Sequence, residues 1–179
     1  TIAFNSTLNG SQDLTLTAGT GNIDFDAAVG NTARLGILTI VSATNVTADS
    51  SVTAASILQQ AVSNTTTFTG AVNTNTAAGV NLTGTNLVVL AGITTTGNGV
   101  VTAVMSGTDP NGTILFANNS DILADGAVSL TASTRMTTGG DITTTNDAIS
   151  VDAATVLTQD VTIDAGPIGA AIHYTKTID

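Results

Sequence analysis

Leu14-Thr15-Leu16-Thr17-Ala18-Gly19-Thr20-Gly21-Asn22-Ile23-Asp24-Phe25 joins two short strands of alternating polarity through a turn rich in Gly and Asn. Successive side chains of a strand point to opposite sides, so Leu14 and Leu16 share one side of the first strand. Gly and Asn tolerate the backbone conformations that tight turns require. The segment therefore predicts a strand, a turn and a second strand.

Strands of the same kind recur along the chain, as in Val128–Ala132, Ile149–Ala153 and Val161–Gly166. They begin near Asp13, Leu35, Ile57, Val80, Val100, Val128 and Ile149. Most of these starts are roughly 20–23 residues apart, the spacing of one coil of a β-solenoid. The sequence therefore predicts an all-β fold, a right-handed parallel β-solenoid (β-helix) with about 7–8 irregular coils.

One solenoid segment is expected over residues 1–179, with a loop insertion around 105–113. The longer step from Val100 to Val128 contains Ser106–Gly112, where Pro and Gly lie beside Asp and Asn, a dense turn signal. Ala54–Val62 is the one stretch with helical potential, and we interpret it as a strand preceded by a turn.

The composition favours β-structure. All 13 acidic residues are Asp, and Lys and Arg total 3, so the residues that stabilise long helices are nearly absent. The alternative fold is a β-sandwich, which also has short strands and frequent turns. Sandwich cores carry more aromatic residues than the 3% found here, whereas stacked Val, Ile, Leu, Ala and Thr suit the narrow interior of a solenoid.

The charge excludes several classes of partner. A net charge of -10 with three cations leaves no basic surface for nucleic acid or for an anionic membrane. The apolar runs are short and alternating, which argues against membrane insertion. Thr1–Phe4 has no basic or apolar leader segment, so we expect a mature product or a piece of a longer protein.

Catalysis has little support in the sequence. The chain has no Cys, and its one histidine, His173, lies in an alternating strand without a recognisable nucleophile or orienting partner. We therefore expect no enzyme, no catalytic residues and no cofactor. Calcium is the metal that hard oxygen ligands would suit, and the weak candidates for it are Asp24, Asp26, Asp109 and Asn111.

The two ends of the sequence both carry alternating strands rather than polar caps. Together they comprise roughly the length of one further coil. We therefore expect self-association, either between tandem copies or between subunits of a filament. The candidate assembly residues are Thr1, Ile2, Phe4, Ile172, Tyr174 and Ile178.

Three threonine triplets suggest a second class of function. Thr65–Thr67, Thr94–Thr96 and Thr143–Thr145 would form a flat polar ladder if they stacked on one face, as in ice-binding β-helices. Their spacings are unequal and several coils lack a triplet, so this remains an alternative.

The strands Leu14–Phe25 and Val161–Gly166 resemble the repeat regions of filamentous-haemagglutinin-like adhesins and other β-strand-repeat surface proteins of bacteria. The resemblance implies a β-helix, export to the cell surface or the extracellular space, and adhesive or scaffolding work, with no catalytic residues. The leading hypothesis is a structural repeat unit of a surface or fibre-forming protein. The alternative is a binding module that recognises a glycan, a host surface or ice.

Overall fold

The computed structural model describes all residues from 1 to 179 and contains 21 β-strands and no helix. Every strand pair is parallel, and paired strands lie about 21 residues apart, so the chain winds into a β-solenoid of about eight turns. The predicted parallel β-solenoid is confirmed. A β-sandwich is excluded, because that fold is built from antiparallel sheets.

The strands form three faces, which we call A, B and C. Face A is an eight-stranded sheet of β1 (Ile2–Phe4), β3 (Ile23–Phe25), β5 (Val46–Ala48), β7 (Thr65–Phe68), β10 (Asn86–Val89), β13 (Thr113–Phe116), β16 (Arg135–Thr138) and β19 (Thr155–Leu157). Face B contains β8 (Val72–Thr74), β11 (Ile93–Thr95), β14 (Ile122–Ala124), β17 (Ile142–Thr144) and β20 (Ile163–Asp164). Face C contains β2 (Leu14–Thr17), β4 (Leu35–Ser42), β9 (Val80–Gly84), β12 (Val101–Met105), β15 (Val128–Ala132), β18 (Ile149–Asp152) and β21 (Ile172–Tyr174).

Strand β6 (Val52–Gln59) joins faces B and C into one 13-stranded sheet. Its first residues pair with β8 and its last residues pair with β9. The interpretation of Ala54–Val62 as strand is confirmed as far as Gln59, where β6 ends. The predicted starts at Ile57, Val80, Val128 and Ile149 share one register on face C, which runs through Val101 next to the predicted Val100. The predicted start at Leu35 lies three residues before this register, because Leu38 is the residue that pairs with Ile57.

The core consists of columns of inward side chains, one from each coil. On face C the register stacks Leu14, Leu38, Ile57, Val80, Val101, Val128, Ile149 and Ile172. Face B stacks Leu8, Val29, Val52, Val72, Ile93, Ile122, Ile142 and Ile163. Because β-branched and aliphatic side chains pack well on a pleated surface, each column buries apolar area along the full axis.

One of the strands that have similar alternating sequences lies on a different face from the others. Leu14–Thr17, Val128–Ala132 and Ile149–Asp152 are strands of face C, whereas Ile163–Asp164 belongs to face B. Alternation alone does not distinguish these two positions, because both faces have one buried side. Residues 106–112 form the connection between β12 and β13, and both Asp109 and Asn111 are exposed in it.

An asparagine ladder runs along the corner between faces C and A. Asn45 Nδ2 donates to Asn22 Oδ1 at 3.1 Å, and Asn64 Nδ2 donates to Asn45 Oδ1 at 2.9 Å. Asn86 Nδ2 continues the series with bonds to the carbonyl oxygen of Asn64 and to Oδ1 of Asn111. The ladder therefore links five successive coils at the point where each enters face A.

Arg34 joins its own coil to the next two coils on the outside of face B. Its Nη1 donates to the carbonyl oxygens of Ala54 at 2.8 Å and Asn73 at 3.0 Å, and its Nη2 donates to Asn73 Oδ1 at 2.6 Å. A planar guanidinium presents several donors at fixed angles, which a lysine ammonium does not.

We expect Arg34→Ala to lower the free energy of unfolding by about 2 kcal/mol, since three hydrogen bonds from a charged group to two backbone carbonyl oxygens and one amide oxygen are lost. Arg34→Lys should recover only part of this stability. Urea unfolding followed by circular dichroism measures both values. The matched control is Arg135→Ala, because Arg135 is exposed and makes no side-chain hydrogen bond in the structure; equal effects at the two arginines would contradict this role of Arg34.

We expect Asn64→Ala to cost about 1 kcal/mol of stability, because it removes one donor from the middle of the ladder. The control is Asn81→Ala, an exposed asparagine on face C whose side chain makes no hydrogen bond. Thermal unfolding of the two variants tests the ladder, which requires a clearly lower melting temperature for the Asn64 variant.

Candidate functional site

The candidate assembly residues lie in the first and last coils. Ile2 and Phe4 belong to β1, where the Phe4 ring stacks on Phe25 with centroids 5.2 Å apart. Ile172 and Tyr174 belong to β21, which pairs only with β18. Ile178 bridges to Thr155 on face A, and Thr1 is exposed beside β1. The structure therefore brings each group to one end of the solenoid and leaves one edge of its strands unpaired.

The calcium candidates do not converge on one site. Asp24 is a half-buried outward residue of β3, and Asp26 is exposed directly after that strand. Asp109 and Asn111 belong to the 106–112 connection, three coils further along the axis, where Asn111 takes part in the asparagine ladder. No group of three or more His, Cys, Asp or Glu side chains in the structure is arranged to hold a metal ion.

His173 projects from β21 on the outside of the last coil and is exposed. The one ion pair of the structure lies nearby, between Lys176 Nζ and Asp152 Oδ1 at 3.4 Å. A hydrogen bond from the Thr175 hydroxyl, reinforced by Lys176, lowers the pKa of the Asp152 carboxyl. These contacts join the last two coils of face C.

The threonine triplets do not form one ladder, which corrects the stacking considered from the sequence. Thr65–Thr67 lies in β7 on face A, whereas Thr94–Thr96 and Thr143–Thr145 lie on face B. On face B the coil of β14 separates the two triplets and places Leu123, which is 49% exposed, between them. A flat hydroxyl plane built from the triplets is therefore not present.

The two face B triplets line a groove of about 300 Å³ together with Leu123, Ala124 and Asp125, which we call the face B groove. Most of its polar side chains already make hydrogen bonds within the chain. Thr96 donates to Thr74 O, Thr144 to Asp147 O and Thr145 to Asp125 O. The backbone amide of Asn98, with the Thr145 hydroxyl second, lowers the pKa of the Asp125 carboxyl. The face B groove is thus lined largely by side chains that already bond to the protein itself.

A second groove of about 430 Å³ lies at the corner between faces C and A, beside the asparagine ladder. We call it the corner groove. Its floor contains Ala43, Val62 and Gly84, and its lining includes no ionisable residue. Six polar side chains of the lining make no side-chain hydrogen bond within the chain: Thr20, Ser42, Gln60, Ser63, Thr83 and Ser106.

The backbone beneath the corner groove is held rigidly. Buried Gln59 donates from Nε2 to the carbonyl oxygen of Thr83 at 3.1 Å, and its Oε1 accepts from the Thr66 hydroxyl at 2.9 Å. Sequence reasoning missed this groove, because nothing in the chain's Ser and Thr pattern shows which hydroxyls are used by turns. The sequence did contain a signal for the asparagine ladder, an Asn one residue before the face A strand, as at Asn22 and Asn45.

Tyr174 provides a test of the last coil. Burial raises the pKa of its phenol above the ordinary value of 10.0. A group whose pKa is raised on folding contributes stability that is complete below its unfolded pKa and is lost as the pH rises through the folded pKa. We therefore expect the last coil to loosen above about pH 10, and Tyr174→Phe to suppress this loss.

The protein has one tyrosine and no tryptophan, so ultraviolet absorption during an alkaline titration reports on Tyr174 alone. Hydrogen exchange of β21 measures the loosening in the native chain and in the Tyr174→Phe variant. An ordinary phenol pKa, or the same loosening in both proteins, would show that Tyr174 is not buried in the last coil.

No helix in the structure is long and apolar enough to cross a membrane. No family model matches the chain, and the searches of curated proteins and of solved structures return no match. The fold and the geometry of the two ends and two grooves are therefore the basis for assigning a role.

Proposed function

We propose that the chain is a structural unit of an extracellular surface or fibre-forming protein, in which stacked coils act as a stiff spacer. The observation that carries this proposal is the continuity of the three parallel ladders through about eight turns. Repeat proteins of this kind are held together by contacts between neighbouring repeats, so further coils extend the rod without a new core.

Composition supports the extracellular location. The chain is rich in Thr and Asn and has one Lys and no Glu, a composition typical of extracellular proteins that fold without disulfides. Only one ion pair is present in the structure. The resemblance to filamentous-haemagglutinin-like repeat regions adds an adhesin or fibre as the parent protein.

The unpaired edges suggest how coils would stack end to end. Exposed strand edges pair readily with another strand. If the first coil of a second copy sat on the last coil, its Leu14 would follow Ile172 in the face C column, and its Leu8 would follow Ile163 in the face B column. Both contacts would be aliphatic, like those along the rest of each column.

Face A adds a condition to this arrangement. Residues 177–179 already hydrogen-bond to face A above β19, through Thr155 N to Thr177 O and Leu157 N to Asp179 O. In a continuous stack, β1 of the second copy would occupy this same position beside β19. Joining therefore requires β1 to displace residues 177–179, or to continue from them in one covalent chain.

We expect the 179-residue chain to form filaments at high concentration with an axial repeat of roughly 38 Å, from about eight turns at about 4.8 Å per coil. Ile172→Lys should abolish them, because a charge at the edge strand blocks pairing with another copy. Removal of residues 177–179 should lengthen them, because the competing segment is gone. Electron microscopy and sedimentation measure all three outcomes.

The matched control is Leu123→Lys, since Leu123 and Ile172 are exposed to similar extents, 49% and 47%, but Leu123 lies in a middle coil. It should assemble like the native chain. A chain that sediments as a strict monomer with ordered ends, or filaments that survive Ile172→Lys, would rule out stacking between chains.

A binding module is the second candidate function. The corner groove favours it over the ice-binding alternative, because that groove has free polar side chains whereas the threonine triplets are divided between two faces.

A further inference from the structure

We propose that the corner groove binds a neutral, linear oligosaccharide that lies along the solenoid axis. Residues from five successive coils line the groove, from Thr20 in the first turn to Ser106 in the fifth. Four steps of about 4.8 Å make it roughly 19 Å long. The inference does not depend on end-to-end stacking.

The free polar side chains are the first argument. Sugar hydroxyls both donate and accept hydrogen bonds, and the hydroxyls of Thr20, Ser63 and Thr83 and the amide of Gln60 do the same. None of these groups is used within the chain, so a ligand would not compete with the fold for them. In the face B groove, by contrast, Thr96, Thr144 and Thr145 already donate to backbone carbonyl oxygens.

The absence of ionisable residues from the lining sets the charge of the ligand. A protein of net charge -10 repels polyanions such as acidic glycans. A cationic ligand would find no carboxylate in the groove to pair with. A neutral ligand fits both conditions.

The shape of the groove favours an extended chain of sugar units. One coil rises by about 4.8 Å, which is close to the length that one hexopyranose unit adds to an extended glycan. Successive sugars would therefore meet the same type of position on successive coils. Ala43 and Val62 point into the core, so the sugars would lie on the backbone at the bottom of the groove and against the exposed side chains at its sides.

The rigid backbone lowers the cost of binding. Inter-coil hydrogen bonds, such as Ala43 N to Ala61 O and Ser106 N to Gly84 O, fix the groove before a ligand arrives. Binding would therefore require little further ordering of the protein, and the entropic cost of that ordering would be small. No aromatic side chain stacks on the sugar, so we expect a dissociation constant on the order of 1 mM.

The test titrates isotopically labelled protein with cellopentaose, maltopentaose or the acidic penta-galacturonate, up to on the order of 10 mM, and follows backbone amide shifts by NMR. We expect at least one neutral pentasaccharide to shift amides of the corner groove. Ser63→Ala combined with Thr83→Val should weaken binding by about threefold to tenfold for each hydroxyl removed. Ala61→Trp should block it, because a large ring would fill the groove at an exposed position.

The matched control is Thr94→Val combined with Thr143→Val, which removes two unbonded hydroxyls from face B and should leave binding unchanged. The proposal is overturned if neither neutral saccharide binds, if the acidic saccharide binds more tightly than both, or if both groove variants bind like the native protein.

Discussion

The hydrogen-bonded ladder between successive coils is the constraint on which the rest of the structure depends. It fixes the rise per coil at about 4.8 Å, so a residue in one coil lies directly over its counterpart in the next. Each inward side chain therefore contacts the equivalent side chains of the coils before and after it, and the face B column is aliphatic from Leu8 to Ile163. The corners are equally tight: a Cβ on Gly79, at φ +56°, would lie 2.0 Å from the carbonyl oxygen of Val100.

The direction of each side chain could be read from the sequence, but the face on which each strand lies could not. Period-two alternation distinguishes inward Leu14 and Leu16 from outward Thr15, and the spacing of such strands predicts the coil. The face depends on the length of each corner, which varies widely. Between faces C and A the connection is Thr85 alone after β9, but residues 106–112 after β12. This variation is why Ile163, on face B, looked like a counterpart of Leu14, on face C.

The roles of polar side chains were harder still to predict, because one residue type serves different needs. Buried Thr95 and Thr144 donate to carbonyl oxygens of the turns that follow their strands, whereas exposed Thr83 makes no side-chain bond. The difference lies in whether an unpaired carbonyl is within reach, and only the folded corner decides that. Only the asparagine ladder is indicated by the sequence, through an Asn that precedes the face A strand in successive coils. An amide both donates and accepts a hydrogen bond, so the same residue can repeat from coil to coil.

The allocation of hydrogen bonds also separates the structural surface from the surface open to ligands. A hydroxyl that satisfies a turn carbonyl cannot be recruited by a ligand without leaving that carbonyl unpaired, at a cost of about 1–3 kcal/mol where it is buried. Thr144 and Thr145 of the face B groove carry this cost, whereas the six unbonded polar side chains of the corner groove do not. Because the ladders already hold the backbone of both grooves rigid, this difference in available polar groups, rather than in flexibility, decides which groove is free to bind.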